Sequence, residues 1–241
     1  MKKRIYLLLL SVIAIFSACK EDSDEFVEQL FTDSQISAAL NQCADTAATK
    51  TCSTLCFVDT SGEKKLGYYN FDSKSYRIDL VNHIVDTLVA HGYQDKVDSL
   101  IFILNRAAEL CGDKITQFWT PIIKNTTYPK PNLVLHGGNS AITEYFKTTK
   151  KSEFVATLVA YLPVQFTALN VDSTWTQLQN KYIEITGSYS PTPFGIITPT
   201  AEQMVAGFFK KMAIEEAAIR ANPALQGNPN GLLHRVFSTL K

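Results

Sequence analysis

The chain has 241 residues with 23 basic and 23 acidic side chains, so its formal net charge is zero. That balance excludes the basic footprint typical of nucleic-acid-binding proteins and leaves no polybasic patch for anionic lipid. Hydrophobic residues make up 46% of the chain, which is enough for a sizeable core in one large domain or two small ones.

The first eighteen residues have the pattern of a secretory signal peptide. A basic start at residues 2–4 is followed by an apolar run at residues 5–16 and then by the small residues Ser17 and Ala18. The apolar run is too short to span a bilayer, which needs about 20 such residues. We therefore predict that residues 1–18 are removed on export.

Residues 16–19, Phe-Ser-Ala-Cys, resemble the lipobox of bacterial lipoproteins, with Phe16 where leucine is usual. In that family the cysteine thiol is diacylated, the chain is cut before it, and the new amino terminus is acylated. Several acyl chains anchor a protein stably, whereas one chain binds a membrane only marginally. The alternative is an ordinary cleaved signal with a coincidental cysteine. The pattern predicts lipid attachment at Cys19.

Residues 19–32 are predicted to form an acidic tether. Lys20 followed by several acids resembles the surface-export signal of some Gram-negative lipoproteins, and the plainer interpretation is a solvated linker. We predict an outer-membrane lipoprotein of a Gram-negative bacterium, which the export resemblance would place on the cell surface. Without residues 1–18 the chain has 20 basic and 23 acidic residues, a net charge of −3.

The rest of the chain, residues 33–241, has the periodicity of one all-α domain. Its first half predicts helices over residues 33–56, 80–91, 97–111 and 115–123, with a loop or short hairpin near 57–79. Gly92 and Gly112 follow two of these helices as stop signals.

The second half predicts two long Pro/Gly loops at residues 125–139 and 186–199. The helices predicted there cover residues 140–147, 154–162, 175–185, 200–221 and 232–240. Pro163 is expected to kink or restart the chain after the second of them. The helix over 200–221 is apolar on a wide arc, which predicts a central position. The fold class is all-α, a single-domain bundle of about seven to nine helices.

Several segments, in this order and spacing, resemble a family of exported bacterial helical proteins catalogued as a domain of unknown function, family 4197. The segments are Gly67-Tyr68 with Asn70, Ile78-Asp79-Leu80, Asn105 to Glu109, Gly137 to Ala141, Tyr145-Phe146-Lys147, Phe208-Phe209, Glu215-Glu216, Ile219 to Pro223, and Leu232-Leu233 with Val236-Phe237. The resemblance covers about residues 33–240 and implies an all-α exported protein without an established activity. The four domain cysteines and the elaborate loop at 186–199 depart from the family pattern.

Four cysteines remain if Cys19 carries lipid, an even number in an oxidising compartment. Cys52 and Cys56 are four apart, and such a helical pair is usually too far apart for a bridge without distortion. A disulfide between Cys43 and Cys111 is therefore the pairing we predict if any bridge forms. A metal site at Cys52 and Cys56 is the alternative, but it lacks a second pair at ligand spacing, so we predict no metal.

Five charged residues on two predicted helices form a candidate polar cluster. They are Arg106, Glu109, Glu215, Glu216 and Arg220. If the two helices pack together, the cluster is either a structural network that fixes register or a site with a shifted carboxylate pKa. We favour the structural interpretation, because ion-pair networks perturb pKa values without doing chemistry.

No catalytic motif, cofactor motif or nucleic-acid footprint is present in the sequence. At the helix start, Gly137 to Ser140 offers backbone N–H groups to an anion, but capping by Asn139 or Ser140 explains that segment. The sequence favours a non-enzymatic envelope lipoprotein that binds an unknown protein or small-molecule partner. The alternative is a carboxylate-dependent hydrolase using Glu109, Glu215 or Glu216.

Overall fold

A computed structural model describes residues 30–70, 76–79, 83–187 and 195–240. The predicted signal peptide, Cys19 and most of the predicted tether lie outside the described residues. Within the described part all regular structure is helical, which confirms the predicted all-α class.

Ten α-helices form the described part of the fold, and three of them have six residues or fewer. They are α1 (Asp33–Leu55), α2 (Gly67–Asn70), α3 (His83–Ala90), α4 (Gln94–Glu109), α5 (Gly112–Asn125), α6 (Pro131–Leu135), α7 (Ala141–Ala168), α8 (Val171–Thr186), α9 (Ile197–Ala221) and α10 (Leu232–Phe237). Short 3-10 helices follow at Pro223–Gln226 and Ser238–Leu240.

Helix α9 is central, as its wide apolar arc predicts. It packs against α7 and α1, with further contacts to α4 and to the 3-10 turn that follows it. Gly207 brings it close to α2, because a Cβ there would lie 3.2 Å from Cε1 of the buried Tyr68 ring. The Tyr68 hydroxyl donates to the Met204 carbonyl at 3.1 Å, so α2 is held against α9 by packing and by a hydrogen bond.

An aromatic cluster joins α5, α7 and α9. The Trp119 ring is stacked on Phe208, with centroids 5.6 Å apart, and meets Phe146 and Phe154 edge to face at 5.5 and 5.2 Å. All four side chains are buried. Offset and edge-to-face ring pairs of this kind add about 0.5–1.5 kcal/mol each beyond their buried area.

Helix α7 is one continuous helix, so the prediction of separate helices over 140–147 and 154–162 is wrong, as is a restart at Pro163. Proline removes one backbone donor inside a helix. Pro163 lies on an exposed face, and its own carbonyl accepts from the Thr167 hydroxyl at 2.9 Å. Buried Phe154, Leu158, Leu162 and Phe166 keep one apolar stripe across the proline, and burial of that stripe holds the helix together.

Two predicted loops contain short helices. The loop at 125–139 includes the five-residue α6, which has Pro131 in its first turn, where a missing N–H costs nothing. The hairpin alternative near 57–79 is wrong for residues 57–70 and 76–79, which contain α2 and no strand; residues 71–75 lie outside the described part. Gly67–Asn70 form one helical turn, whereas a hairpin would need two paired extended strands on either side of its turn.

Candidate functional site

Glu216 on α9 fastens the beginning of α7. Its Oε1 accepts from the backbone N–H of Ile142 at 3.0 Å, and its Oε2 accepts from the N–H and the hydroxyl of Thr143, both at 2.7 Å. The residue is fully buried. A carboxylate at the positive end of a 28-residue helix is favoured by the helix dipole and by the unpaired N–H groups of the first turn.

Arg220, one turn further along α9, completes this arrangement. Its Nε donates to Glu216 Oε1 at 2.8 Å, while Nη1 and Nη2 donate to the carbonyls of Leu135 and Val134 at 2.8 and 3.2 Å. The guanidinium therefore holds the end of α6 as Glu216 holds the start of α7. We call Glu216 and Arg220 the α9 clamp.

The α9 clamp corrects the capping prediction for this helix. Ser140 stands at the N-cap position of α7 without a side-chain hydrogen bond to the helix, and the carboxylate of Glu216 takes the N–H groups instead. The N–H groups of Ile142 and Thr143, which an anion bound at this helix start would use, are therefore taken by a carboxylate of the same chain.

A second pair, which we call the α4 clamp, lies at the end of α4. Glu109 Oε2 accepts from Arg106 Nη1, and Glu109 Oε1 accepts from the backbone N–H of Tyr69 at 3.1 Å. Arg106 Nη2 donates to the Asp59 carbonyl at 2.7 Å. The Glu109 side chain has no exposed surface, and the partner residues Asp59 and Tyr69 were not identified from sequence.

Burial is the largest influence on Glu109 and raises the pKa of its carboxyl, although Tyr69 and Arg106 lower it in part. Gly67 makes this burial possible. A Cβ at Gly67 would overlap Glu109 Oε1 and would lie 2.6 Å from the Phe57 carbonyl. The close approach of α2 to α4 therefore depends on a residue without a side chain.

Asp59 organises the loop that precedes α2. Its Oδ1 accepts from the Ser61 hydroxyl at 3.1 Å and from the Gly62 N–H at 2.9 Å, and its Oδ2 accepts from the Leu66 N–H at 3.4 Å. Burial by itself raises the pKa of this carboxyl, but these hydrogen bonds together outweigh it and hold the pKa below its ordinary value. The Asp-x-Ser-Gly pattern of residues 59–62 is a turn signal that can be read from the sequence.

The predicted five-residue cluster does not form. Glu215 pairs with Lys211 on the same helix, with both side chains mostly buried, and the α4 and α9 clamps have separate partners. No ion pair in the described residues joins Arg106 or Glu109 to Glu215, Glu216 or Arg220. The reason is geometric, since each clamp is aimed at backbone groups of a different neighbouring element.

The predicted disulfide between Cys43 and Cys111 is also absent, because all four domain cysteines are free thiols. Cys43 is fully buried near Glu216 and Arg220, and Cys111 is fully buried with its Sγ donating to the Ala107 carbonyl at 3.2 Å. Burial is the main cause that raises the pKa of both thiols. They are packed as small apolar side chains.

The cysteines that do come together are the pair judged too distant for a bridge. The Sγ atoms of Cys52 and Cys56 lie 3.4 Å apart, and both residues are partly exposed. The Cys52 sulfur also lies 3.5 Å from the Gly112 carbonyl oxygen and 3.5 Å from the Thr116 hydroxyl oxygen of α5. Among the described residues no group of three or more His, Cys, Asp or Glu side chains is placed to hold a metal ion.

A concave surface lies between α6 and α7, with a volume of about 400 Å³. Its lining residues are Leu133, Val134, Gly137, Ala141, Glu144, Tyr145, Thr148 and Thr149. Leu133 is 66% exposed, and the one carboxylate, Glu144, is paired with Lys147 at 3.2 Å. We call this surface the α6–α7 groove.

No single helix in the described part of the chain is long and apolar enough to cross a membrane. Only when taken together do α7 and α8 reach the length and apolar composition of a membrane span, and the two helices are bent by 84° relative to each other.

The model of a family described as "Protein of unknown function (DUF4197)" matches residues 31–238. Neither the curated proteins nor the solved structures include a match to this chain.

Proposed function

The chain belongs to the family described as Protein of unknown function (DUF4197). From its own residues we propose that it is a non-catalytic lipoprotein of the bacterial outer membrane that binds a partner or small ligand. The lipid is attached at Cys19, and residues 20–32 tether the helical body. The Lys20-led acidic stretch supports display on the cell surface.

The observation that carries the non-catalytic role is how the carboxylates are engaged. Glu216 has four hydrogen-bond donors and Glu109 is held by a guanidinium and a backbone N–H, and both side chains are closed off from solvent. A general acid or base has to reach a substrate proton within hydrogen-bond distance. The hydrolase alternative is disfavoured because neither of these carboxylates faces an open cleft, and the third candidate, Glu215, is mostly buried in an ion pair with Lys211.

The α6–α7 groove supports binding. Surfaces that bind small molecules are concave, mostly apolar and commonly about 300–1,000 Å³ in volume. The groove has a volume of about 400 Å³, an exposed leucine at its rim and threonine hydroxyls along one wall. Its lining contains no group of converging titratable side chains.

The anchor is tested by mass spectrometry and membrane fractionation of the full chain. We expect the parent to carry the mass of its acyl chains and to partition with membranes, and Cys19→Ala to lose both properties. Cys43→Ala is the matched control, because it removes a buried thiol and should leave acylation intact. A parent that has the mass of the unacylated chain and partitions with membranes no more than Cys19→Ala would refute acylation.

The groove is tested by photo-crosslinking in the cells that make the protein, with a photoreactive amino acid placed at one position of the chain. Position 133, where Leu133 is 66% exposed, lies at the groove. Position 164 is the control, because Val164 is an apolar residue of α7 with a similar exposure of 60%. We expect a discrete crosslinked species from position 133 and none from position 164. Identical crosslinking from both positions, or none from 133, would remove the groove from the proposal.

A further inference from the structure

Cys52 and Cys56 are placed at the end of α1 as two thiols in contact. Cys52 belongs to the last turn, Cys56 is the C-cap residue, and the Cys56 N–H donates to the Cys52 carbonyl at 2.8 Å. Residues four apart in a helix have Cα atoms about 6 Å apart, which lies inside the range of about 4.4–6.8 Å that disulfides span. The sulfur atoms, already 3.4 Å apart, need only a side-chain rotation and a small shift to bond.

We propose that Cys52 and Cys56 are a thiol–disulfide exchange pair, with Cys52 as the attacking thiol, Cys56 as the resolving thiol, and a low-molecular-mass disulfide as the substrate. In the first step the Cys52 thiolate attacks one sulfur of the substrate, and the other substrate sulfur leaves as a thiolate. In the second step Cys56 gives up its proton to solvent and attacks Cys52 Sγ, which expels the second substrate thiolate. The two protein thiols are oxidised to one disulfide, and the substrate disulfide is reduced to two thiols.

The side chains around Cys52 and Cys56 suit the first thiol to attack and the second to resolve. Once Cys52 is ionised, the Cys56 S–H donates to it, and this hydrogen bond is the largest of the influences that lower the pKa of Cys52 to about 7, against burial. Thr116 on α5 also favours the Cys52 thiolate, and Asp113 on α5 opposes it. The same contact with Cys52, together with burial, raises the pKa of Cys56. Asp45 on α1 is the other titratable group on the adjoining surface.

Access and positioning come from the seam between α1 and α5. Cys52 is partly exposed beside a small cavity of about 20 Å³ at this seam, which is lined by Thr49, Thr116 and Thr120 and by apolar side chains that include Ile115 and Trp119. Gly112 lets Cys56 sit close, because a Cβ at Gly112 would lie 2.9 Å from the Cys56 Cβ. The other two domain cysteines, Cys43 and Cys111, are fully buried and take no part.

The test uses the reduced full chain with oxidised glutathione under native conditions, followed by alkylation and trypsin. Residues 51–64 form one tryptic peptide that holds both Cys52 and Cys56 and no other cysteine. We expect this peptide to lose the mass of two hydrogen atoms and to carry no glutathione. If the peptide of the folded chain stays alkylated on both cysteines, the proposal fails.

Variants separate the two steps, each with its helical content checked by circular dichroism. Cys56→Ser should accumulate one glutathione on Cys52, because the resolving thiol is gone. Cys52→Ser should form its first adduct about tenfold more slowly, as expected for a thiol with an unlowered pKa. Gly112→Ala should slow ring closure without slowing the first attack, and Cys43→Ala should match the parent.

Two further results would overturn the assignment. One is an adduct on Cys56 in Cys52→Ser that forms as fast as the adduct on Cys52 in Cys56→Ser. The other is a parent whose folded and guanidinium-unfolded forms close the disulfide at the same rate. If Cys56→Ser fails to fold, rapid acid quenching of the parent reaction replaces it, and the transient glutathione adduct must be found on Cys52.

Discussion

Glu216 accepts a hydrogen bond of 2.7 Å from the backbone N–H of Thr143, a residue 73 positions earlier in the chain. This bond makes a side chain of the central helix the cap of the longest helix. It ties the packing of α7 on α9 to one register, because a shift by one residue along α9 would bury the carboxylate without its donors.

Replacement of Glu216 by glutamine should destabilise the fold strongly. The amide keeps one acceptor oxygen but turns an N–H₂ group toward donors that the carboxylate now satisfies. We expect a loss of about 3–5 kcal/mol in the free energy of unfolding, the usual result of breaking a buried pair. Urea denaturation measures it, with Glu215→Gln as the control that changes the neighbouring carboxylate. A Glu216→Gln variant as stable as the parent, or more stable, would indicate a carboxylate kept for chemistry.

Glu109→Gln should cost less stability at neutral pH than at acid pH. Burial raises the pKa of Glu109 in the folded state, so the folded chain takes up its proton more readily than the unfolded chain. The stability contributed by this group is therefore fully present below the unfolded pKa and declines as the pH rises through the folded pKa. Urea denaturation of parent and variant between pH 4 and 7 measures the difference. A penalty that grows toward neutral pH would contradict the raised pKa.

Asp59→Asn should show the opposite pH dependence. Its folded pKa is lowered, so the stability it contributes is present above the unfolded pKa and disappears as the pH falls through the folded pKa. We expect the destabilisation by Asp59→Asn to be largest near neutral pH and to vanish in acid. The same urea titration detects it, and a pH-independent penalty would mean that the Asp59 carboxylate does not ionise differently in the loop.

Gly67→Ala should be more harmful than Gly92→Ala, although the two glycines have nearly the same backbone, with φ of +88° and +85°. A Cβ at Gly92 meets nothing within 4 Å, so that variant measures the backbone strain alone, on the order of 1 kcal/mol. A Cβ at Gly67 would overlap Glu109 and the Phe57 carbonyl. Thermal unfolding of both variants gives the comparison, and equal shifts in Tm would show that α2 moves aside without cost.

Local sequence pattern predicted most of the helices. The stripes of α1, α4 and α9, and the stop at Gly92, depend on residues three or four apart or next to a helix end, so neighbours along the chain decide them. The stop predicted at Gly112 is wrong, because α4 ends at Glu109 and Gly112 begins α5. Helix α7 is an exception, because tertiary packing decides its length. Helix α7 continues through Pro163 because a buried apolar stripe outweighs one lost N–H bond, and burial of that stripe depends on α9.

The charged residues show which contacts the local sequence pattern predicts and which it does not. The i,i+3 spacing of Arg106 and Glu109 and the i,i+4 spacing of Glu216 and Arg220 place each pair on one helix face, and both pairs form. The spacing does not specify that one pair faces the α2 backbone and the other faces α6 and α7. Those partners lie 40 to 86 positions away, and the crossing of whole helices brings them together.

The sequence by itself determined the helical class, the central position of α9 and the charged pairs within single helices, because each follows from the 3.6-residue period of an α-helix. Only the tertiary structure decided which backbone groups those charges satisfy, that Cys43 and Cys111 stay apart, and that Cys52 and Cys56 touch. These depend on how side chains fill the space between packed helices, and spacing along the chain does not fix that.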